Sequence, residues 1–174
     1  MNMPSLQLLL AILVAIATGP AFAVDATLNF TGDILQPSCD IDSSTANQTV
    51  PLGTAPIMDF AAVGSTSNPK GFYLSLVNCA AGTNVTMTVA GTMDTVPSVL
   101  KNIGTATQVG VQILQAGSVG ATTGTPVTLN SAVNLGVVGS SNAMTVPLVA
   151  QFYRLGTLTA GTVSATATVN FTYN

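Results

Sequence analysis

The carboxyl-terminal stretch of this chain, from Thr162 to Tyr173, alternates strictly between apolar and polar side chains. The apolar positions are Val163, Ala165, Ala167, Val169, Phe171 and Tyr173. Successive side chains of a β-strand point to opposite faces, so this alternation predicts a half-buried strand. The sequence ends at Asn174, and we therefore expect no later strand to pair with its outer edge. An open apolar edge invites pairing with another chain.

A second alternating run lies near the other end of the chain. Its apolar face comprises Ala26, Leu28, Phe30, Gly32 and Ile34, and its polar face comprises Thr27, Asn29, Thr31 and Asp33. This pattern also predicts a strand. One end of the chain thus lacks a strand partner while the other end offers a strand, which favours assembly with another chain.

The first residues have the pattern of a secretory signal peptide. An apolar stretch from Leu8 to Ala17 precedes the small-residue site Ala21-Phe22-Ala23, although no Lys or Arg occurs before the stretch. Cleavage there would leave Val24 as the new amino terminus. We therefore predict a signal peptide over residues 1–23, an amino-terminal extension over 24–36 and a single domain over 37–174, of a size that can bury a core.

Charge is scarce along the chain. Charged residues are 5% of the total and the formal net charge is −3. Three scattered cations cannot neutralise a phosphate backbone, so nucleic acid is excluded as a partner, and the acidic balance disfavours anionic membrane surfaces. No segment after the signal has the roughly 20 continuous apolar residues of a membrane helix, so we expect no direct membrane insertion.

The two cysteines, Cys39 and Cys79, suit an oxidising compartment and are most simply paired in one disulfide. Closing a loop of about 40 residues stabilises the folded state by about 4 kcal/mol in the chain-entropy model. Two buried free thiols are the alternative. A metal site is disfavoured because two thiols without His or Glu do not complete a tetrahedral shell.

Catalysis is disfavoured by the side chains present. The chain has no His and its six acidic residues are all Asp, so general acid–base and nucleophilic chemistry lack their usual groups. Asp40 and Asp42 could begin a calcium loop, but Thr45 and Pro51 stand where such a loop needs Gly and Glu. We therefore interpret the two aspartates as solvent-facing residues of a loop. We expect no enzyme activity, no metal and no cofactor.

Further short alternating runs occur in the middle of the chain. They lie around Phe72–Leu76, Val85–Val89, Val109–Ile113 and Met144–Phe152, with Gly- and Ser-rich turns between them. No stretch has a sustained 3.6-residue period. Many short strands joined by turns, with one disulfide between strands, predict an all-β sandwich of immunoglobulin type.

Several of these segments together resemble the subunits of chaperone-usher fimbriae, the type 1-like pilins. They are Leu28-Asn29-Phe30-Thr31-Gly32-Asp33-Ile34, the Cys39 and Cys79 interval, Gly71-Phe72-Tyr73-Leu74-Ser75-Leu76, Val109-Gly110-Val111-Gln112-Ile113, and the ending from Ala160-Gly161 to Tyr173. The resemblance covers the whole chain after the signal peptide.

The resemblance implies an incomplete immunoglobulin-like sandwich that lacks its last strand. A periplasmic chaperone would fill the exposed groove by holding the strand from Val163 to Tyr173 and the carboxylate of Asn174. At an outer-membrane usher, the extension of the next subunit would replace the chaperone strand. In that exchange Ala26, Leu28, Phe30, Gly32 and Ile34 would be the donor residues that face the groove.

The function implied is that of a structural subunit of a surface fimbria that supports cell adhesion. Neighbouring fimbrial subunits, the chaperone and the usher would be its partners, and it would reach the cell surface through the periplasm. Two alternatives remain. A self-contained secreted binding module, for example for carbohydrate, would usually display exposed aromatic side chains, and a secreted hydrolase would need catalytic residues absent here.

Overall fold

The computed structural model describes residues 28–32 and 38–174. Residues 36–174 belong to one compact unit and residues 1–35 to another. In the unit of residues 1–35, the described residues 28–32 have no regular secondary structure, and the Leu28 and Phe30 side chains are exposed. Ala26, Ile34 and the predicted signal peptide lie outside the described residues.

The described part of the unit of residues 36–174 is built from β-strands and two very short helices. In chain order the elements are β1 (Asp40–Ile41), α1 (Ser43–Ala46), a 3-10 helix (Ile57–Asp59), β2 (Thr66–Val77), β3 (Asn84–Gly91), β4 (Val99–Lys101), β5 (Thr107–Ala116), β6 (Gly124–Pro126), β7 (Ala132–Val137), β8 (Met144–Thr159) and β9 (Ala167–Tyr173). Among these residues no helix is long and apolar enough to cross a membrane.

The strands form two antiparallel sheets. The larger sheet has the order β1-β2-β8-β5-β4, with β6 paired to β5, and the smaller sheet has the order β7-β3-β9. The central strands β5 and β8 are buried on both faces because loop residues around Ala121 pack against Leu114, Ala116 and Val149 on the outer side. The two sheets confirm the predicted all-β sandwich.

Alternation in sequence predicted the core of the sandwich well. Leu74, Met87, Val111, Ile113 and Leu148 are buried between the sheets. Phe152 is buried and Phe72 and Phe171 pack against the core, as their position on apolar strand faces predicts. Phe30 differs, since its side chain is 90% exposed. Its place on the apolar face of the first alternating run therefore does not correspond to burial in the described part of this chain.

The cysteines form the predicted disulfide between Cys39 and Cys79. The bond links the residue before β1 to the residue two positions after β2. Cys79 is buried in a small cluster with Leu76, Val85 and Val138. The disulfide thus anchors the start of the domain to the edge of the larger sheet.

The carboxyl-terminal strand is shorter than the alternation predicts. The sequence indicates a strand from Thr162, whereas β9 begins at Ala167. The preceding residues leave the smaller sheet because they hydrogen-bond elsewhere: the Ile103 amide donates to the Ser164 carbonyl at 2.9 Å and the Ala106 amide donates to the Thr162 carbonyl at 3.0 Å. Side-chain alternation continues through this change of partner, which explains the error.

The interpretation of Asp40 and Asp42 as loop-solvating residues is also incomplete. Asp42 caps α1, since its Oδ1 accepts hydrogen bonds from the Ser44 amide at 2.9 Å and the Ser44 hydroxyl at 2.7 Å. The Ser44 hydroxyl, and after it the Ser44 amide, lowers the pKa of the Asp42 carboxyl. Asp40 accepts from the Asn78 side-chain amide at 3.0 Å.

Candidate functional site: an apolar groove beside the last strand

β9 is an edge strand of the smaller sheet. It pairs with β3 on one side, and among the described residues no strand pairs with its other side. The backbones of Asn84 and Asn174 exchange both possible hydrogen bonds, of 2.8 and 3.0 Å. Hydrogen-bonded pairs alternate along an antiparallel ladder. The amides of residues 168, 170 and 172 therefore face β3, and those of Val169, Phe171 and Tyr173 face the open side.

A groove runs along the open side of β9. Its first part is a cavity of about 640 Å³. The floor consists of apolar side chains from both sheets: Phe72, Val89, Leu100, Val111, Ile113, Leu148, Ala150 and Phe152. In a complete sandwich such side chains would be covered, because apolar area left in water is unfavourable by about 25 cal/mol per Å².

The groove has two walls. One wall is the carboxyl-terminal segment with Val163, Ala165, Ala167 and Val169, and the opposite wall is formed by residues 48–55, which lie between α1 and the 3-10 helix. Residues 48–55 form no strand. In the described chain none of their backbone groups has a backbone hydrogen-bond partner. Both walls therefore include backbone groups without a backbone hydrogen-bond partner, although the Leu52 and Thr54 carbonyls accept from the Asn68 side chain.

The groove continues past Val163 into a second cavity of about 480 Å³. Phe60, Ala106, Val109, Phe152 and Leu158 line it, and Gly53, Phe152 and Val163 border both cavities. No charged side chain is found among the described residues that line either cavity. An occupant must therefore be apolar on one face, because a buried unpaired charge is strongly unfavourable.

The predicted groove residues fall into two groups. Val163, Ala165, Ala167 and Val169 line the groove. Phe171 and Tyr173 instead pack against the cluster that surrounds the disulfide. The Tyr173 hydroxyl donates to the Cys39 carbonyl at 3.4 Å, and burial, with a smaller contribution from Asp40, raises its pKa. This end of β9 thus anchors the strand beside the disulfide.

The predicted donor residues that the structure describes are exposed. Leu28 is 74% exposed and Phe30 is 90% exposed. A side chain added at Gly32 would meet no atom within 4 Å in this structure. Their role toward a groove stays a prediction, as does that of Ala26 and Ile34.

The wall at residues 48–55 and the groove floor were not predicted as site residues. The wall carries only a weak signal, since Val50 and Leu52 flank Pro51, and Pro is confined to edge strands or non-strand segments. Among the described residues no group of three or more His, Cys, Asp or Glu could hold a metal ion. The groove is lined mainly by apolar side chains of the core and by the backbone of its two walls.

The fold and groove define an all-β sandwich domain with an open edge beside its last strand. Comparison with known proteins identifies its family. The family described as Fimbrial protein matches residues 28–174. The chain belongs to this family and is a structural subunit of a cell-surface fimbria.

Individual relatives agree with this assignment. The chain is 32% identical over 165 residues to a type-1 fimbrial protein, A chain, from Escherichia coli, covering 90% of this chain and 86% of that protein. It is 31% identical over 176 residues to the minor fimbrial subunit HifD of Haemophilus influenzae, covering 95% and 82%. The resemblance to type 1-like pilins is confirmed, and membership of this family also supports the expectation of a non-enzymatic protein.

A solved chaperone-usher pilus structure, reported to explain uncoiling of its rod, shares the fold. The TM-score is 0.65 at 20% identity, and the match covers 90% of this chain and 100% of that chain. The sandwich described above is thus the fold of a pilin subunit.

Proposed function

We propose that this subunit polymerises by donor-strand exchange, in which an extended strand from a neighbouring subunit fills the groove beside β9. The observation that carries the proposal is the pair of unpaired backbone edges that flank an apolar floor. A single strand laid between β9 and residues 48–55 would hydrogen-bond on both sides and cover the floor with alternate side chains.

The amino-terminal extension of the next subunit is the strand that fits. Its side chains at Leu28, Phe30 and Ile34 share one face, and burying each stabilises the joint by about 1.5–3 kcal/mol. Each ladder hydrogen bond adds about 1 kcal/mol net. Gly32 on the same face has no side chain and would let the inserted strand approach the groove floor closely. Side-chain burial and ladder hydrogen bonds together account for a stable joint between two subunits without a covalent link.

Before assembly the groove needs a temporary occupant. We propose that a periplasmic chaperone lends a strand and holds β9 together with the carboxylate of Asn174, and that exchange takes place at an outer-membrane usher. This part is supported by the resemblance to type 1-like pilins and by the fold shared with a chaperone-usher pilus. Export to the periplasm would use the signal peptide over residues 1–23.

The test is to complete the sandwich within one chain. A copy of residues 25–35 is appended after Asn174 through a flexible linker, so that it reverses and runs antiparallel to β9. We expect the melting temperature to rise by tens of degrees relative to the mature chain, meaning residues 24–174 after signal-peptide cleavage, because a whole strand is restored.

The matched control carries the same linker and copy with Phe30→Asp in the appended copy only. This change keeps the length and every other residue but places a carboxylate over the apolar floor. It should lose most of the gain in melting temperature. Equal melting temperatures for the mature chain and both fusions would contradict donor-strand completion.

A further inference from the structure

Two side-chain amides hydrogen-bond the groove wall formed by residues 48–55 to the sandwich, and Val50, Leu52 and Ala55 pack against the core. In the described chain the wall's backbone groups have no backbone partners. Gln48 donates from Nε2 to the Tyr73 carbonyl at 2.8 Å. Asn68 donates from Nδ2 to the Leu52 carbonyl at 3.0 Å and to the Thr54 carbonyl at 2.8 Å. The central part of the wall thus depends on Asn68.

The position of Asn68 in β2 directs its amide toward the wall. The ladder between β2 and β8 shifts register between Ser67 and Lys70, and Asn68 lies in this bulge with φ of 52°. Asn is among the few non-glycine residues that adopt such a φ readily. A bulge re-aims a side chain relative to the regular ladder, and here it turns the amide away from the β8 pairing.

The hydrogen-bonding capacity of the Asn68 amide matches what surrounds it. Its NH₂ group has two hydrogens, one for each wall carbonyl, and its Oδ1 accepts from the Ser67 hydroxyl at 3.3 Å. Rotating the amide would place Oδ1 against two carbonyl oxygens, so its orientation is fixed. Gly53, between the two bonded carbonyls, has φ of 74°, which glycine adopts without strain.

We propose that Asn68 is a positioning residue for strand insertion: it holds the wall at residues 48–55 at the distance from β9 that one additional strand requires. The inference rests on the proposed function, since it assigns a role within the same groove. A strand can pair with both edges only if their separation is fixed near two strand spacings, about 9–10 Å. Val50, Leu52 and Ala55 pack against the core, so without Asn68 the wall keeps its apolar contacts but loses the bonds that fix its backbone at Leu52 and Thr54. An inserted strand would then pair less well on this side than on the β9 side.

Asn68→Asp is the sharpest variant because it keeps the shape and the tolerance for positive φ. At neutral pH its carboxylate faces the Leu52 and Thr54 carbonyls and has no hydrogen to donate. The matched control is Asn142→Asp. Asn142 also has positive φ, of 55°, and donates from Nδ2 to a backbone carbonyl, that of Cys79 at 2.7 Å, but it does not line the groove.

Two measurements are made on the full mature chain. Hydrogen exchange reports the protection of the backbone amides of residues 49–55, apart from Pro51, which has no N–H, when a synthetic peptide of residues 24–35 fills the groove. Stopped-flow and competition experiments give the rate at which this peptide dissociates. For Asn68→Asp at pH 7 we expect lost protection in residues 49–55 and roughly tenfold faster peptide dissociation, the loss expected from about two modest hydrogen bonds.

Measuring peptide dissociation at lower pH distinguishes the proposed role from general destabilisation of the fold. A protonated carboxyl donates one hydrogen bond, and the nearby carbonyl oxygens favour this neutral form. Peptide dissociation from Asn68→Asp should therefore slow, relative to wild type and to Asn142→Asp at the same pH, as the pH falls from 7 to about 4. If Asn68→Asp fails to fold, Asn68→Gly removes the donor without adding charge and serves for both neutral-pH measurements.

The outcomes separate the two claims. If the wild-type chain does not take up the peptide, donor-strand exchange is contradicted, and Asn68 has no insertion to assist. If wild type takes up the peptide while Asn68→Asp, or Asn68→Gly in its place, behaves like Asn142→Asp in protection and dissociation, donor-strand exchange stands and the positioning role of Asn68 is wrong.

Discussion

Asn84 and Asn174 exchange two backbone hydrogen bonds, of 2.8 and 3.0 Å, so β9 is held to β3 as far as the last residue. Because this pair fixes the alternation of the ladder, the backbone groups of Val169, Phe171 and Tyr173 point away from β3. The same residues direct their side chains inward. The outer backbone edge of β9 is therefore unpaired from Val169 to Tyr173 in the described structure.

Tyr173→Ala combined with removal of Asn174 should prevent capture by the chaperone. The change removes the Asn84–Asn174 bonds and the Tyr173 contacts beside the disulfide, so the end of β9 is no longer held in place. We expect the subunit to be degraded in the periplasm. Periplasmic levels and co-purification with the chaperone measure this, and normal levels with full co-purification would contradict it.

Phe30→Asp or Gly32→Leu should have the opposite effect. In the proposed exchange the chaperone fills the groove without using the extension, so capture and export should continue. Insertion into a neighbour's groove fails because a carboxylate meets an uncharged apolar floor, or because an oversized side chain costs about 1–3 kcal/mol. Fimbriae should stop growing at this subunit. Normal fimbrial length by electron microscopy would disprove the division of labour between the two termini.

Replacing both cysteines by alanine should weaken the folded state substantially. The bond closes a loop with a sequence separation of 40, worth about 4 kcal/mol in the chain-entropy model. Urea unfolding of the self-completed fusion, with and without the cysteines, gives this difference. Mass spectrometry of the periplasmic protein should find no free thiols, and detection of two thiols would show that the bond does not form in the cell.

Alkaline pH should destabilise the protein in part through Tyr173. Desolvation first, and the Asp40 charge second, raise the pKa of its hydroxyl above the ordinary value of 10.0. The favourable contribution is therefore present below pH 10 and is lost as the pH rises through the folded-state pKa. Urea midpoints of the self-completed fusion should fall less between pH 9 and 11 in Tyr173→Phe than in wild type. Parallel curves would contradict this assignment.

The strand faces and the disulfide were predictable because they depend on local alternation and on cysteine count. Val111, Ile113, Leu148 and Phe152 lie in the core as the two-residue period predicts. Family resemblance added the open groove. The start of β9 was mispredicted because side-chain alternation indicates which side chains are buried. It does not indicate which segment the backbone hydrogen-bonds to.

The second wall of the groove was not predictable in this way. It is placed by Asn68, which lies 16 residues from Leu52 and 14 from Thr54, and by Gln48, which lies 25 residues from Tyr73. Such bonds between side-chain amides and distant carbonyls leave no periodic trace in a sequence. Phe60 was missed for a related reason, since it follows a single 3-10 turn outside any strand pattern.

The central claim, that an added strand completes the sandwich at the open edge of β9, is tested most directly by residue-resolved hydrogen exchange. The mature chain is compared with the fusion carrying residues 25–35 after Asn174. In the mature chain the amides of Thr168, Asn170 and Thr172 should be protected by β3, and those of Val169, Phe171 and Tyr173 should exchange rapidly. In the fusion all six should be protected. Rapid exchange of Val169, Phe171 and Tyr173 in the fusion, or their protection in the mature monomer, would contradict the account.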